Sequence, residues 1–468
     1  MIVLAAGLAA VVLAAVLEAV VTAAPVSFLH IRSNLSQTAT LVSGYPDLAV
    51  SPDRDWVVVV WTEGYVAGVG SQGHVYLRAA SETGGGWGNK IRVFSGDSSA
   101  RAYDVAVAVA GDTAHVVYVV FLFDGGSRTQ TEVRYATCPL PNGECESQIV
   151  FTDPSYLHFL TRVDIALDED EDPHVVWTRQ AEDRSEGDIW YNTRSAGAWG
   201  SHEWVDKEED FIDGNPAIAW ADGYAHVVWQ ASYGPEYDRD YYIRYRRRED
   251  ESGDWGGVVS PGGKTVNLPI ANPDVAAGVG RVFVVWDSCA YRQTLGHCTK
   301  YNLVYWRSNW GPFEFREVGT DNQTELEDYY SAESQDYFED KSEYLLNLEP
   351  SVSLNGDGWP AVVWHTDLSE GVGDKDSDRD YAIYYTYALT GTEDGVDWIT
   401  PTVLSQVHPG MLGRAVVGRG EPGPSGEPPH VAHMQKLDTG AWDVYYDSSE
   451  DERERYSYLY LPLITRAY

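Results

Sequence analysis

The stretch HVVWTRQAEDRSEGDIWY, His174 to Tyr191, reads as two strands and the turn between them. An apolar tetrad of β-formers comes first, an acidic spacer rich in turn formers second, and an alternating aromatic run third. The tetrad recurs as Val58 to Trp61, His115 to Tyr118, His226 to Trp229, Phe283 to Trp286, Ala361 to Trp364 and, degraded, His430 to His433, which makes seven copies. A unit of this kind cannot bury its apolar face alone, so the copies imply one array rather than several domains. Aromatic residues recur at matching points, so most of the 17 Trp and 31 Tyr are expected to be scaffold.

Each tetrad follows an inner strand: Pro46 to Val50, Asp104 to Val109, Asp164 to Leu167, Ala217 to Trp220, Asp274 to Ala277, Ser351 to Leu354 and Arg414 to Val417. Each precedes a third: Val75 to Ala79, Glu132 to Ala136, Ile189 to Thr193, Ile243 to Arg246, Leu303 to Trp306, Ile383 to Thr386 and Val444 to Tyr446. The alternation is period two, apolar against polar, with no sustained helical period after the N-terminal segment, so the chain is all-β. Tetrad ends lie 57, 59, 52, 57, 78 and 69 residues apart. That spacing suits four-stranded blades, and the expected architecture is a single seven-bladed β-propeller over residues 27–455. The last unit lacks a fourth strand of its own, while Phe28 to Arg32 and Thr38 to Val42 form an orphan outer fragment. Pairing these N- and C-terminal segments would close the array and remove its open edges.

The 468 residues carry a formal net charge of -38, which excludes nucleic acid as a partner and disfavours anionic lipid. Residues 1–24 are almost unbroken apolar sequence ending in small residues, as in a signal peptide or an N-terminal anchor. With the signal removed, no membrane span is expected, and the chain would be secreted or held at the cell surface. Four cysteines fall as two local pairs, Cys138 with Cys145 and Cys289 with Cys298, without the histidine partners of a zinc site, so two disulfides are expected. The widest tetrad interval contains an insertion rich in Tyr, Asp and Glu, residues 321–344, and residues 456–468 form an apolar C-terminal tail. Asn34 and Asn322 begin N-x-S/T triplets.

The sequence resembles the BNR-repeat, sialidase-like β-propellers of secreted bacterial proteins. The resemblance is carried by the run NGDGWPAVVW, Asn355 to Trp364, followed by Ala382 to Tyr385, and by Arg194 to Trp199, which stands where that family places its Asp box. The box aspartate is missing. A sialidase of that family would need an arginine triad for a substrate carboxylate, a Tyr-Glu nucleophile pair and an acid. No Arg-Ile-Pro motif occurs near the start, but Arg101, Arg162 and Arg414 stand at inner-strand entrances where guanidinium groups could hold a carboxylate. Some polysaccharide lyases on seven-bladed propellers use His and Tyr as acid and base; Tyr156, His158, His365 and Asp367 are the candidates at matching loop positions. His115, His174 and His226 open tetrads and are expected to be structural.

The run Asp374, Asp376, Asp378, Asp380 has the alternating carboxylates of a calcium loop. It lacks the glycine and terminal glutamate of an EF-hand, so calcium is a candidate cofactor and no other is indicated. The function these features favour is a non-catalytic propeller binding a glycan or a cell-surface protein through its loop face. The rival is a carbohydrate-active enzyme, either a sialidase-like glycosidase or a uronate lyase. The two differ in geometry, since an enzyme needs its arginines and an acid-base pair in one pocket.

Overall fold

The computed structural model describes residues 28–38, 42–52, 55–64, 73–81, 86–155, 157–182, 186–206, 210–234, 239–250, 252–261, 264–266, 269–278, 280–293, 297–311, 314–317, 324–325, 346–354, 358–367, 380–391, 396–398, 402–409, 412–417, 430–436 and 442–451. Contacts divide the chain into a compact unit His30–Ser449, to which the following account refers, and a second unit of Met1–Leu29 with Glu450–Tyr468. The described residues form β-strands and no helix, numbered here β1 (Phe28–Asn34) to β31 (Trp442–Asp451) in chain order. No helix among them is long and apolar enough to cross a membrane.

Every tetrad lies on the second of three or more successive antiparallel strands, and single parallel pairings, Gly187 with Ile212 and Tyr301 with Leu346, join the third repeat to the fourth and the fifth to the sixth in continuous sheets. The inner strands are β2 (Ser43–Val50), β6 (Ala100–Ala110), β10 (His158–Leu167), β15 (Phe211–Ala221), β19 (Ile270–Gly278), β24 (Leu346–Leu354) and β29 (Leu412–Val417). The tetrad strands are β3 (Trp56–Glu63), β7 (Thr113–Asp124), β11 (Pro173–Ala181), β16 (Tyr224–Tyr233), β20 (Arg281–Gln293), β25 (Pro360–Asp367) and β30 (His430–Lys436). Third strands are β4 (His74–Ser81), β8 (Ser127–Pro139), β12 (Gly187–Ser195), β17 (Asp240–Glu249), β21 (His297–Gly311), β26 (Asp380–Gly391) and β31. Outer strands are β5 (Ile91–Phe94) and β9 (Glu146–Asp153), then shorter pieces: β13 (Ala198–Trp199) and β14 (Glu203–Trp204), β18 (Lys264–Val266), β22 (Glu314–Glu317) and β23 (Thr324–Glu325), and β27 (Val396–Trp398) and β28 (Thr402–Pro409). The sheet holding β29, β30 and β31 takes β1 as its outermost strand. Each inner strand packs against the next, and β29 packs against β2.

The tetrads do not alternate as the sequence reading expected. On β3 every residue from Val57 to Glu63 is buried, because both faces of the sheet are covered. Val58 and Val60 face the repeat that follows, in one cluster with Val105, Val107, Val116 and Tyr118. Val57, Val59 and Trp61 face the other way, with Val416, Ala432, Val444 and Tyr446 of the last repeat. Burial on both sides turns a strand into a continuous apolar run. The same division recurs down the chain, each cluster straddling two consecutive repeats. Trp61, Trp177, Trp229, Trp286 and Trp364 are buried to within 2% of completely.

The tetrad histidines are structural, as expected. His115, His226 and His430 place Nδ1 at 2.7, 2.7 and 2.6 Å from the hydroxyls of Tyr135, Tyr245 and Tyr446, and His174 pairs with Tyr191 in the same way. Burial lowers His115 to about 4 and His226 to about 3, so both are neutral acceptors or donors rather than charges. The turn tryptophans complete this lock. Trp199 meets Tyr135 edge-on, Trp255 meets Tyr191 and Trp87 meets Tyr446, each time reaching a neighbouring repeat. Arg194 and Arg248 lie over Tyr135 and Tyr191, so a guanidinium and an indole together hold the neighbouring repeat.

The segment after β1 is fastened to β31 through one carboxylate. Asp443 is 2% exposed and accepts from Asn34 Nδ2 at 2.7 Å, Ser36 Oγ at 2.8 Å, and both the amide (3.1 Å) and the hydroxyl (2.7 Å) of Thr38. The Asn34 amide of the N-x-S triplet is therefore engaged. A disulfide joins Cys138 to Cys145, seven residues apart, across the turn that leaves β8. Cys289 and Cys298 lie on the paired strands β20 and β21, their side chains outside the described residues.

Candidate functional site

Each inner strand carries an irregularity two residues before the position that faces the third tetrad residue. Ladder shifts fall between Gly44 and Asp47, Ala102 and Val105, Thr161 and Val163, Gly214 and Ala217, Ala271 and Asp274, Leu348 and Ser351, and Gly413 and Ala415. The bulged positions are Tyr45, Asp104, Arg162, Asn215, Asn272, Glu349 and Arg414. Five of them, Tyr45, Arg162, Asn215, Asn272 and Glu349, have φ between 49° and 51°. This left-handed conformation costs a residue with a Cβ about 1–2 kcal/mol, and glycine avoids the cost. Keeping a tyrosine, an arginine and a glutamate there is a stored strain of the kind that gathers at functional sites.

Of the bulged residues, Asp104, Arg162, Asn215, Asn272 and Glu349 line a cavity of about 80 Å³, to which all seven inner strands contribute. Its walls include Asp47, Asp104, Asp164, Asp274 and Glu349 against a single guanidinium, Arg162, among the described residues. Most of the carboxylates are already committed. Asp47 accepts from Val107 N at 2.8 Å, and Asp164 from Ile165 N at 2.9 Å and Ile218 N at 2.8 Å. Asp274 accepts from Val275 N, Val352 N and Ser351 Oγ, each at 2.9 Å. These aspartates stitch one inner strand to the next, which buried carboxylates require. Arg162 and the Glu349 carboxylate make no hydrogen bond or ion pair among the described residues.

Between them runs a chain of amides. Asn215 Nδ2 donates to Gln230 Oε1 at 3.0 Å and to Asn272 Oδ1 at 3.3 Å, and Asn272 Nδ2 donates to Asp287 Oδ2 at 2.8 Å. Asp287 Oδ2 also accepts from Glu349 N at 3.2 Å, so this carboxyl ties the fifth inner strand to the sixth. Its Oδ1 is buried without a partner among the described residues. Burial is the main reason its pKa rises to about 7; the Glu349 charge adds to it, and hydrogen bonding from Asn272 and from the Glu349 and Ala271 amides opposes it. Burial also pushes the Tyr45 phenol well above its ordinary range, and its hydroxyl donates to that of Tyr103 at 3.4 Å.

The sequence-derived candidates scatter. Arg162 lines the cavity, and the Arg414 backbone holds the equivalent bulge, its side chain lying outside the described residues. Arg101 sits three residues before the bulge residue Asp104, its guanidinium 4.4 Å above the Phe123 ring and away from the cavity wall. His365 pairs with Leu348 directly behind the Glu349 bulge and is buried; it holds the place that Gln230 and Asp287 take in the two preceding repeats. His158 accepts from Arg179 at 3.1 Å, and Arg179 in turn pairs with Asp153 at 2.6 Å, a network outside the cavity wall. Asp367 ends β25 and Asp380 begins β26, their side chains outside the described residues, as are Tyr156, Asp374, Asp376 and Asp378 altogether. Asn215, Asn272, Glu349, Asp104 and Tyr45 escaped the sequence reading. A signal was present: Pro46, Pro216, Pro273 and Pro350 follow the bulged residue in four repeats.

No family model matches this sequence, and no curated protein matches it. Among solved structures, a sialidase of Trypanosoma rangeli in complex with sialic acid is similar over 87% of this chain at 10% identity and a TM-score of 0.42. The match covers 54% of that sialidase, so this chain spans about half its length. A protein of unknown function from Dyadobacter fermentans is similar over 90% of this chain and 98% of its own, at 9% identity and a TM-score of 0.43. The polysaccharide lyase Uly1 is similar over 85% of this chain and 88% of its own, at 13% identity and a TM-score of 0.42.

Proposed function

We propose that the chain is a seven-bladed β-propeller closed by its two ends, secreted or held at the cell surface, that binds a glycan through its central mouth without turning it over. Closure is supported by the core shared between the first and last repeats and by the bonds from Asn34, Ser36 and Thr38 to Asp443. Residues 1–24 are its export signal or anchor, residues 321–344 an acidic insertion rich in tyrosine, and residues 456–468 an apolar C-terminal tail.

The observation that carries the binding reading is the pair Arg162 and Glu349, whose side chains make no hydrogen bond or ion pair among the described residues, beside a chain of amides in one cavity. A guanidinium, a carboxylate and two amides together offer donors and acceptors that match sugar hydroxyls. The cavity of about 80 Å³ is well below the size of a site for a whole small ligand, so it grips one protruding group of a chain lying across the mouth. Five carboxylates against one guanidinium disfavour a carboxylate-bearing sugar, so the preferred ligand is neutral. A glycan array probed with the full chain, with reducing-sugar and unsaturated-uronate assays alongside, tests this. Neutral glycans bound without turnover are expected; binding confined to sialylated or uronate glycans, or turnover of any, refutes it.

One feature favours the enzymatic reading: Asp287, a carboxyl brought to about 7 directly behind the rim. On that reading turnover would appear and be lost in Asp287→Asn. A calcium site at Asp374, Asp376, Asp378 and Asp380 is a separate proposal. It requires a rise in melting temperature in millimolar calcium relative to chelator, and no shift would reject it.

A further inference from the structure

We infer that a second sugar-binding site, independent of the central mouth, lies between the outer edges of the third and fourth repeats and takes neutral sugar rings. The outer strands are broken there. In the third repeat only Ala198–Trp199 and Glu203–Trp204 pair with β12, and in the fourth Trp255 and Val259 touch β17 as isolated bridges ahead of β18. The gap is a cavity of about 720 Å³ walled by Trp190, Trp204, Trp255, His202, Arg246 and Val258, with Glu203 and Asp206. Its size falls within the roughly 300–1,000 Å³ of small-molecule sites.

Two of its walls break the ordinary surface pattern. Trp204 is 42% exposed and Val258 38% exposed, and both belong to the few large apolar side chains exposed among the described residues. Trp204 stands perpendicular to Trp190 with centroids 5.4 Å apart, and His202 packs on Trp190 at 4.7 Å. Trp255 is fixed by its indole N–H to Glu203 Oε2 at 2.9 Å and by the edge of Tyr191. These indoles are held in place before any ligand arrives, which reduces the ordering cost of binding.

Charge selects the ligand. Glu203 is held by Arg248 at 3.1 Å, Asp206 by Arg244 at 2.6 Å, and Arg246 donates to the carbonyl oxygens of Gly256, at 2.6 Å, and Val205. Each charge on the wall is thus balanced or bonded within the protein, and none calls for a counter-ion. Flat apolar faces bordered by satisfied polar groups suit an uncharged ring with an apolar C–H face and a rim of hydroxyls.

The test titrates the full chain with cellohexaose, mannohexaose and chitopentaose as neutral probes and hexagalacturonate as an acidic one, followed by ligand-observed NMR and tryptophan fluorescence. At least one neutral probe is expected to bind saturably and hexagalacturonate not to bind. Trp204→Ala and, on the wall from the fourth repeat, Val258→Asp, each made on an Arg162→Ala background that silences the central mouth, should each weaken binding about tenfold or more. Thermal melting of both variants checks folding, which their exposure makes safe. No saturable neutral binding, or binding that survives both substitutions, overturns the inference. Loss on Arg162→Ala while Trp204→Ala still binds would place the sugar in the central mouth, overturning this site and leaving the proposed function standing.

Discussion

Replacing Asp287 by Asn changes one atom of a fully buried side chain and should change how stability depends on pH. In the native protein Oδ2 accepts from Asn272 and from the Glu349 amide, while Oδ1 is buried without a hydrogen-bond partner among the described residues. The carboxyl is raised from 3.8 to about 7 by burial above all, so the folded state holds a proton that the unfolded chain releases. Its stabilising contribution is complete below the unfolded pKa and is lost as pH rises through the folded one. Between pH 5 and pH 8 this group alone should remove about 2.5 kcal/mol, at about 1.4 kcal/mol per pKa unit. Asn keeps the acceptor oxygen and carries no charge. Denaturant unfolding of both proteins at pH 5, 6, 7 and 8 cancels the background from the acidic surface. The Asn variant should match or trail the wild type at pH 5 and gain on it by about 2 kcal/mol by pH 8. Parallel pH profiles would refute the reasoning.

Arg162→Gly should leave stability unchanged or raise it by up to about 1 kcal/mol, because glycine relieves the left-handed strain, yet, made on a Trp204→Ala background, abolish the glycan binding that calorimetry still reads in Trp204→Ala alone. Asp274→Ala strands the buried Val275 and Val352 amides and should cost about 2–5 kcal/mol in denaturant unfolding. Removing the Cys138–Cys145 bridge as a double Ala variant should cost roughly 2 to 3 kcal/mol on loop entropy, read by the same assay. Gly187→Ala would set a Cβ 2.4 Å from the Asp213 carbonyl where the third and fourth repeats meet, so a fall in melting temperature of several degrees is expected.

The scaffold was legible because it repeats. VVVW, HVVY and FVVW each mark a strand covered on both faces, and the recurring histidine and tyrosine mark a hydrogen bond made again in the second, third, fourth and seventh repeats. The alternation rule failed on these strands for the same reason: Val57 and Val58 serve different neighbours, and both must be apolar. The site was far less legible. Arg162 stood out by its charge, but Arg101 looked equivalent until the pairing register put Asp104, two residues before the partner of Val117, in the place that Arg162 holds before the partner of Val176. Tyr45, Asn215, Asn272 and Glu349 share a backbone conformation rather than a side-chain chemistry, and its one mark in the sequence is the proline that follows each of them. Asp287 reads as another acidic residue in an acidic chain until its burial is known.

The most direct measurement is an experimental structure of the chain with its strongest array ligand bound. The account predicts ligand density across the central mouth, with one neutral group reaching Arg162, Glu349 and the Asn215–Asn272 amides. A ligand bound elsewhere, with the mouth holding only solvent, would contradict it.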